Sequence, residues 1–351
     1  MLYQFVVKRT RVERELDIAV VGVEGLVGES VLNLLEERHF PVGSLYVLQH
    51  GESEVDSVRF KDKSVAPQAI EAFDFSQAQI AFFAGPKELA EQYVPLAADA
   101  GCIVIDVCGA FRFEPDVPMV IAGINDDRLA DYMIRNIISL PSATSTMVWS
   151  AAMAIHRAVG IEAVTITALQ SVSGKGKAGV DELAKQTAQL LNARQITSDT
   201  YRKQIAFNVL PESGALLDNG FTQDEMSLLW ETHRLLDDTS VAVTPSCVVV
   251  PVFHGDSAQV TVETQAYIGA EEACDIWRQS TDVELVDAVA QMDYATPVTD
   301  TVGSENVFVS RVREDAAGYQ KLSFWVTADN IRVTTAKNAV LLAEQLATQF
   351  L

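Results

Sequence analysis

The feature that most constrains the fold is a short apolar run that ends in a glycine-rich turn. Asp17 to Gly22 read DIAVVG, a β-branched run typical of a buried parallel strand. Gly22, Gly25 and Gly28 follow the spacing G-x-x-G-x-x-G, and a helical pattern of apolar residues begins within it. Glycines at this spacing permit a tight turn and let a pyrophosphate approach the start of the helix. The chain is therefore predicted to begin with a dinucleotide-binding fold.

Three more apolar runs continue this pattern. They are SLYVL, QIAFFAG and CIVID at residues 44–48, 79–85 and 102–106, and a helical stretch at 87–100 separates the last two. Strands that alternate with helices predict βαβ units and a doubly wound, Rossmann-like parallel sheet, which is an α/β fold. The cofactor-binding residues expected in such a domain are Gly22, Gly25, Leu26, Val27, Gly28, Ala84 and Gly85.

The pattern changes after Pro141. The stretch SATSTMVWSAAMAIHRAV predicts a helix opened by capping hydroxyls. The strands predicted after it, at residues 162–170, 240–253 and 257–268, are longer and alternate polar with apolar positions. This alternation indicates a sheet with one solvent-facing side, typically antiparallel. A helix near residues 179–193 is expected among these strands.

The chain divides into two predicted domains. A Rossmann-like domain covers residues 1–145, and an α+β domain covers residues 146–330. The last helix, from Thr335 to the C terminus, has one apolar stripe and must dock on another element. We expect this closing segment, residues 331–351, to complete the first domain.

The charge of the chain excludes several classes of partner. It has 48 acidic and 26 basic residues, which gives a formal net charge of −22. Because nucleic-acid affinity rests on Lys and Arg that neutralise phosphates, we predict binding to neither nucleic acid nor an anionic membrane. No apolar run approaches the roughly 20 residues of a membrane span. Residues 1–16 lack the apolar core of a signal peptide, and we interpret them as a frayed or adventitious leader before the first strand.

The cysteines indicate neither a metal site nor a disulfide framework. They form no CxxC pair and have no close histidine in the sequence: Cys102, Cys108, Cys247 and Cys274. We therefore expect a cytoplasmic protein without a bound metal.

Two features act against nucleotide binding, although the glycine turn would accept NADP or NAD. Glu24 lies inside the turn, where its carboxylate would repel a phosphate. The end of the second strand reads VLQHGESE, which offers no arginine for a 2′-phosphate and places Glu52 and Glu54 nearby.

Five segments together resemble aspartate-semialdehyde dehydrogenases, over essentially Asp17 to Leu351. They are GVEGLVGESVLNLL, IVIDVCGAFRFEPDVPMV, LQSVSGKGKAGVDELAKQT, CVVVPVF and WVTADNIRV. The run RKQIAFNVLPESG is most similar to the Usg-type subgroup, which contains enzyme-like paralogues of the dehydrogenase. The resemblance implies a homodimer that joins through its second domain, and a reaction in which a cysteine thiolate attacks the aldehyde and hydride passes to NADP.

The same resemblance implies that the residues for this reaction are missing. Ala143, in PSATS, stands where the family has its nucleophilic cysteine. In CVVVPVFHGD, Val249 replaces the substrate-binding arginine and Asp256 replaces the acid/base histidine. Ser227, in DEMS, replaces a lysine that serves the amine and phosphate subsites. His254 lies two residues from Asp256, and we interpret it as an ordinary, partly exposed histidine.

Three site positions of the family are kept. Arg112, in CGAFR, would serve phosphate, although a structural ion pair explains it equally well. Gln170, in LQSVSG, matches the active-site glutamine, and it could equally satisfy backbone groups. Asn330, in TADN, matches an asparagine near the nicotinamide, but Asp329 and Asn330 could also cap the closing helix.

Three hypotheses for function follow. The first is a pseudoenzyme that works by binding, in one version as a heteromer with the active dehydrogenase. The second is a divergent NAD(P)-dependent oxidoreductase with a relocated nucleophile, for which Cys108, Thr144 and Ser145 are candidates. We favour a small buried hydrophobe for the first of these and helix caps for the hydroxyls. The third is an NAD(P) sensor without chemistry.

Overall fold

The computed structural model describes residues 14–51, 56–287, 293–316, 318 and 320–351. Most of the predicted leader, up to residue 13, therefore lies outside the described residues, as do Glu52 and Glu54. Within the described residues, no helix is both long enough and apolar enough to cross a bilayer.

The described residues form fourteen strands and seven α-helices. The strands are β1 (Leu16–Val21), β2 (Val42–Gln49), β3 (Val58–Phe60), β4 (Lys63–Val65), β5 (Gln68–Ala69), β6 (Ile80–Phe83), β7 (Ile103–Asp106), β8 (Ile137–Ser139), β9 (Ile161–Gln170), β10 (Ala242–Val249), β11 (Asp256–Thr264), β12 (Val283–Leu285), β13 (Val307–Glu314) and β14 (Lys321–Ala328). The α-helices are α1 (Leu26–Glu37), α2 (Lys87–Asp99), α3 (Ala143–Val159), α4 (Gly176–Leu191), α5 (Gln223–Leu236), α6 (Ala270–Arg278) and α7 (Asn338–Gln349). Short 3-10 turns occupy Ile70–Ala72, Phe75–Gln77, Asp126–Ile134 and Val172–Lys175, and π-helical turns occupy Pro297–Thr301 and Arg332–Lys337.

The first sheet is parallel and has the order β5-β2-β1-β6-β7-β8. Its central strands are buried on both faces, which explains why they read as unbroken apolar runs. Helix α1 covers one face and α2 covers the other. This arrangement confirms the predicted doubly wound, Rossmann-like sheet.

The second sheet is mixed and has the order β10-β9-β11-β14-β13-β12. Helices α3 and α6 pack on one face, around a core that includes Trp149, Trp277 and Phe324. The prediction of an antiparallel sheet is wrong at both edges, because β10 runs parallel to β9 and β12 runs parallel to β13. Alternation shows that one side of a strand is exposed, but it does not give the direction of the neighbouring strand.

The closing helix α7 packs against the first sheet. Ala339, Val340 and Leu346 belong to the same apolar core as the buried face of α1. Arg38 near the end of α1 donates two hydrogen bonds of 2.8 Å to the carboxylate of Glu344 on α7. The chain thus returns to its first sheet after it has completed the second.

The two sheets meet at the start of α3. This helix follows β8 of the first sheet and then packs beneath the second sheet. The chain crosses back towards the first sheet after β14. There, Asp329 Oδ1 accepts hydrogen bonds from the backbone N–H groups of Ile331 and Arg332, at 3.0 and 2.8 Å. Residues of the candidate site therefore lie where two chain crossings come together.

Candidate functional site

The glycine turn, residues 22–28, requires its first and last glycines for steric reasons. Gly22 has a φ of +88°, and a Cβ there would lie 2.5 Å from the backbone nitrogen of Gly85. A Cβ on Gly28 would lie 2.2 Å from the carbonyl oxygen of Gly22. The turn and the loop after β6 thus pack backbone to backbone, with Ala84 beside them.

The start of α1 is open to an anion. Gly25 is its N-cap residue and provides no side-chain hydrogen bond, so the first N–H groups of the helix, beginning at Leu26 and Val27, have no side-chain acceptor. An uncapped helix start of this kind suits a pyrophosphate. Glu24 lies half-buried within the same turn. The backbone geometry therefore fits a dinucleotide, while the charge of Glu24 weakens the site.

The start of α3 is held by a buried carboxylate. Ala143 is the first residue of the helix, and Ser142 caps it by accepting a hydrogen bond of 3.2 Å from Ser145 N–H. The Ser142 hydroxyl donates to Glu231 Oε2 at 2.6 Å, and its backbone N–H donates to the same oxygen at 3.1 Å. The prediction of a capped helix start is confirmed, and α5 supplies the partner of the cap.

Arg112 forms an ion pair with the other oxygen of the Glu231 carboxylate. Its Nη1 lies 2.7 Å from Glu231 Oε1, and its Nη2 donates to the carbonyl oxygen of Cys108 at 3.2 Å. Both ion-pair partners are buried, and the Glu231 side chain has no solvent exposure. Of the two interpretations of Arg112, the structure contains the ion pair.

Gln170 belongs to a chain of polar side chains that leads from α3 to α5. The amide lies 3.2 Å from Thr144 Oγ1, and Ser213 Oγ contacts both Gln170 Oε1 and Asp224 Oδ2. The Ser213 hydroxyl has one hydrogen and can donate to only one of its two acceptors. Each contact in this series of side chains is a hydrogen bond when the oxygen and nitrogen of the Gln170 amide are exchanged. Thr144 then donates to Gln170, Gln170 donates to Ser213, and Ser213 donates to Asp224.

Asp256 is a buried acid at the start of β11. Its Oδ1 accepts hydrogen bonds from the backbone N–H of Ser171 at 2.8 Å and from the Ser171 hydroxyl at 2.9 Å. Burial is the main cause that raises the pKa of Asp256 to about 6, and the nearby carboxylates of Asp329 and Asp224 act in the same direction. This position therefore carries a carboxyl group that titrates at a pH where an ordinary aspartate is already ionised.

Asn330 joins the same buried region and contacts protein groups on several sides. Its Oδ1 accepts hydrogen bonds from Ser173 Oγ at 3.1 Å and from Gly255 N–H at 3.0 Å, and Ser171 Oγ lies 3.3 Å away. The hydroxyl groups of Thr334 and Thr335 donate to the main-chain carbonyl oxygen of Asn330. The neighbouring Asp329 caps the turn into the closing helix, so both residues have structural partners.

Among the described residues, the side chains at the remaining predicted positions form no hydrogen bond with this polar network. Val249 is buried in an apolar cluster with Ile205 and Leu210, and its backbone forms two hydrogen bonds of 2.9 Å with Leu210. Ser227 is buried on α5. His254 is half-buried, and no hydrogen bond to another described residue brings its ring into the network. Among the described residues, no cluster of histidine, cysteine and carboxylate groups could hold a metal ion.

The candidate relocated nucleophiles are poorly placed for reaction. Burial raises the pKa of the Cys108 thiol well above its usual range, and Asp106, which accepts its S–H at 3.1 Å, raises it further. Thr144 and Ser145 are both buried in the first turn of α3, and the interpretation of their hydroxyls as helix caps is wrong, because Ser142 is the N-cap residue. Burial also raises the pKa of the Cys247 thiol, and the nearby carboxylates of Asp224, Glu225 and Asp256 raise it further.

Comparison with known proteins decides the family. A model described as the semialdehyde dehydrogenase NAD binding domain matches residues 17–132, and one described as the semialdehyde dehydrogenase dimerisation domain matches residues 153–333. Aspartate-semialdehyde dehydrogenase 2 of Vibrio cholerae is 42% identical over 337 residues, which are 96% of this chain and 99% of that protein. This chain belongs to the aspartate-semialdehyde dehydrogenase family.

Two further relatives bear on its place within the family. A USG-1 protein homolog of Pseudomonas aeruginosa is 35% identical over 96% of this chain and 99% of that protein. The crystal structure of aspartate semialdehyde dehydrogenase II from Vibrio cholerae complexed with ASA has a TM-score of 0.94 at 42% identity, covering 97% of this chain and 100% of that chain. The resemblance stated from the sequence is thereby confirmed at the level of the family and of its fold.

Sequence reasoning missed three residues that organise this member of the family. Glu231 holds both Arg112 and the start of α3, and Ser213 links Gln170 to Asp224. Glu71, in the 3-10 turn after β5, accepts a hydrogen bond from the loop that follows β2. Each lies far along the chain from its partners or outside the matching segments. The run ETHR, in which an acid lies within an apolar helical stripe, is a signal that could have identified Glu231 as buried and paired.

Proposed function

We propose that this chain has lost the thiol-dependent dehydrogenase reaction and acts by binding. The observation that carries the proposal is the start of α3, where Ala143 places a methyl group at the position that the family resemblance gives to the nucleophilic cysteine. A methyl group cannot form the thiohemiacetal. The thiols of Cys108 and Cys247 do not compensate, because burial holds both in their protonated form.

Loss of anion binding supports the same proposal. A substrate that carries a carboxylate and an attacking phosphate both need cationic partners. In this chain Val249 lies in an apolar cluster, and Ser227 carries no charge. The guanidinium of Arg112 is neutralised by the buried carboxylate of Glu231. Productive binding of two anions would therefore be weak even if a nucleophile were present.

The binding role is proposed to include a nicotinamide nucleotide and a second subunit. Gly22, Gly25, Leu26, Val27 and Gly28, with Ala84 and Gly85, form the backbone surface that would hold the pyrophosphate, and the matched dimerisation domain supports a homodimer. When bound, a nicotinamide nucleotide supplies or accepts hydride. In the heteromeric version of the proposal, the partner is an active dehydrogenase that pairs through the same domain.

The alternative is a divergent oxidoreductase, and the 42% identity to a protein named as a dehydrogenase favours it. The test is turnover of aspartate semialdehyde with phosphate and either nucleotide, measured as reduced nucleotide over a range of protein concentrations. We expect no turnover above the background without enzyme. Turnover that scales with protein and is lost in Cys108→Ala, but kept in the matched buried-thiol control Cys102→Ala, would establish the alternative.

The same preparations test the partner. Light scattering is expected to give twice the chain mass for the protein alone. The heteromeric version predicts mixed dimers when the chain is co-expressed with an active dehydrogenase under different affinity tags. Homodimers alone after tandem purification would contradict that version and leave the loss of turnover unaffected.

A further inference from the structure

A carboxylate from a later part of the chain lies beside the carboxyl end of β2. Strand β5 pairs in parallel with Leu48 and Gln49, the last two residues of β2, so the 3-10 turn that follows β5 lies beside the carboxyl end of β2. Ile70 is buried and fixes this turn on the core. Glu71, the next residue, projects its carboxylate towards the loop that follows β2.

The position of this carboxylate is set by the loop itself. Glu71 Oε1 lies 2.5 Å from His50 Nδ1 and accepts a hydrogen bond of 3.4 Å from Gly51 N–H. Backbone hydrogen bonding, first from its own N–H and then from Gly51, holds the pKa of Glu71 below its usual range. The contacts with His50 and Gly51 both use Oε1, and the side chain is 42% exposed, so the carboxylate remains accessible to a ligand.

In a doubly wound sheet the adenosine ribose of a dinucleotide lies at the carboxyl end of the second strand. A carboxylate there accepts a hydrogen bond from the free 2′-hydroxyl of NAD, whereas the 2′-phosphate of NADP needs a cation. Within the nucleotide-binding part of the proposed function, we propose that Glu71 makes this chain selective for NAD over NADP.

Among the described residues, Glu71 forms no ion pair with a lysine or an arginine. The imidazole of His50 contacts Oε1 of this carboxylate. Lys87 opens α2 at the same edge, but it follows β6, and the order β2-β1-β6 places that strand two spacings, about 10 Å, from β2. Lys87 is thus nearer to the pyrophosphate turn than to the ribose.

Titration calorimetry of the purified dimer with NAD⁺ and with NADP⁺ tests the inference without measuring turnover. We expect NAD⁺ to bind at least about tenfold more tightly than NADP⁺, the factor expected from one hydrogen bond gained and one charge repulsion avoided. Glu71→Gln is expected to weaken NAD⁺, strengthen NADP⁺ and so narrow the ratio several-fold. Asp99→Asn, which removes one exposed carboxylate at the far end of α2, is the control and should leave the ratio unchanged.

Three results would overturn the inference. They are equal affinities for the two nucleotides, tighter binding of NADP⁺, and no binding of either at millimolar concentration. None of these results bears on turnover. The proposed loss of the dehydrogenase reaction is tested separately, by the turnover assay with aspartate semialdehyde. Matching thermal unfolding of Glu71→Gln and the wild type would show that a changed ratio does not come from misfolding.

Discussion

Asp256 places an ionisable carboxyl group where 95% of the residue surface is hidden from water, since its exposure is 5%. Two hydrogen bonds from Ser171 stabilise the charged form, but burial opposes it more strongly. The resulting pKa of about 6 is close to that of an ordinary histidine, although the charge gained on deprotonation is negative. Raising the pH through this value takes the Asp256 side chain from neutral to negative, whereas a histidine would pass from positive to neutral.

This titration predicts a pH-dependent loss of stability. Since the pKa of Asp256 is about 6 in the folded chain and 3.8 in the unfolded chain, the folded state holds the extra proton between these values. The free energy of unfolding is then expected to fall as pH rises from about 4 to about 6 and to stay low above that range. Asp256→Asn should remove this dependence. Its free energy of unfolding relative to that of the wild type is expected to rise by about 3 kcal/mol between pH 4 and pH 7.

Urea unfolding at a series of pH values measures this difference in the free energy of unfolding. Asp238→Asn is a suitable control, because hydrogen bonds from Ser240 hold the pKa of that exposed carboxyl below its usual range. Its contribution therefore runs in the opposite direction. A difference between Asp256→Asn and the wild type that is independent of pH would contradict the assignment.

At the residue scale, what the sequence could predict depended on distance along the chain. Ala143 and a capped helix start were identified from a local segment, because capping involves neighbouring residues. Glu231 was not, because it lies 89 residues from Ser142, and Ser213 lies 43 residues from Gln170. Contacts across such separations depend on the packing of whole elements, which a single sequence does not specify.

The elements that carry the site are joined by the carboxylate of Glu231. The loop after β7 brings Arg112, β8 leads into Ser142, and α5 brings Glu231 from the second domain. A Cβ on Gly109 would overlap the guanidinium of Arg112, and Gly109 has a φ of +70°, so the loop is shaped around this ion pair. The start of α3 is therefore held in place from both sides.

Breaking this junction is expected to destabilise the protein strongly. Glu231→Gln leaves the buried guanidinium of Arg112 without its counter-charge, which typically costs about 3–5 kcal/mol. The double variant Arg112→Met with Glu231→Gln should recover part of that loss, because no charge is then buried unpaired. The midpoint of urea unfolding, with the exposed substitution Glu91→Gln as control, measures both. If Glu231→Gln shifts the midpoint no more than Glu91→Gln, the junction does not have the role assigned to it.

Element directions were harder to predict than element types. Strand β10 alternates along its length as expected, yet it pairs in parallel with β9. The segment between them contains α4 and α5 and is long enough for a crossover, which parallel pairing requires and a hairpin does not. Connection length, rather than alternation, was the signal for the direction of β10.

At the scale of the whole molecule, the path of the chain couples the two sheets. The π-helical turn at Arg332–Lys337 places Val333 in the apolar core of the second sheet and Ala336 in that of the first. Helix α7 then completes the first core. Removal of packing from α7 should consequently be transmitted through this turn to the second domain.

Leu346→Ala tests this coupling. Leu346 is fully buried, so its truncation is expected to cost about 2–5 kcal/mol, whereas Leu191→Ala, at a leucine that is 75% exposed on α4, should cost well under that. All four tryptophans lie after residue 146, so their fluorescence reports the second domain. Because Val333 and Ala336 tie the two cores together, we expect Leu346→Ala to lower the urea midpoint seen by tryptophan fluorescence as much as that seen by circular dichroism. A fluorescence midpoint that stays at the wild-type value would mean that the two domains unfold independently despite their shared turn.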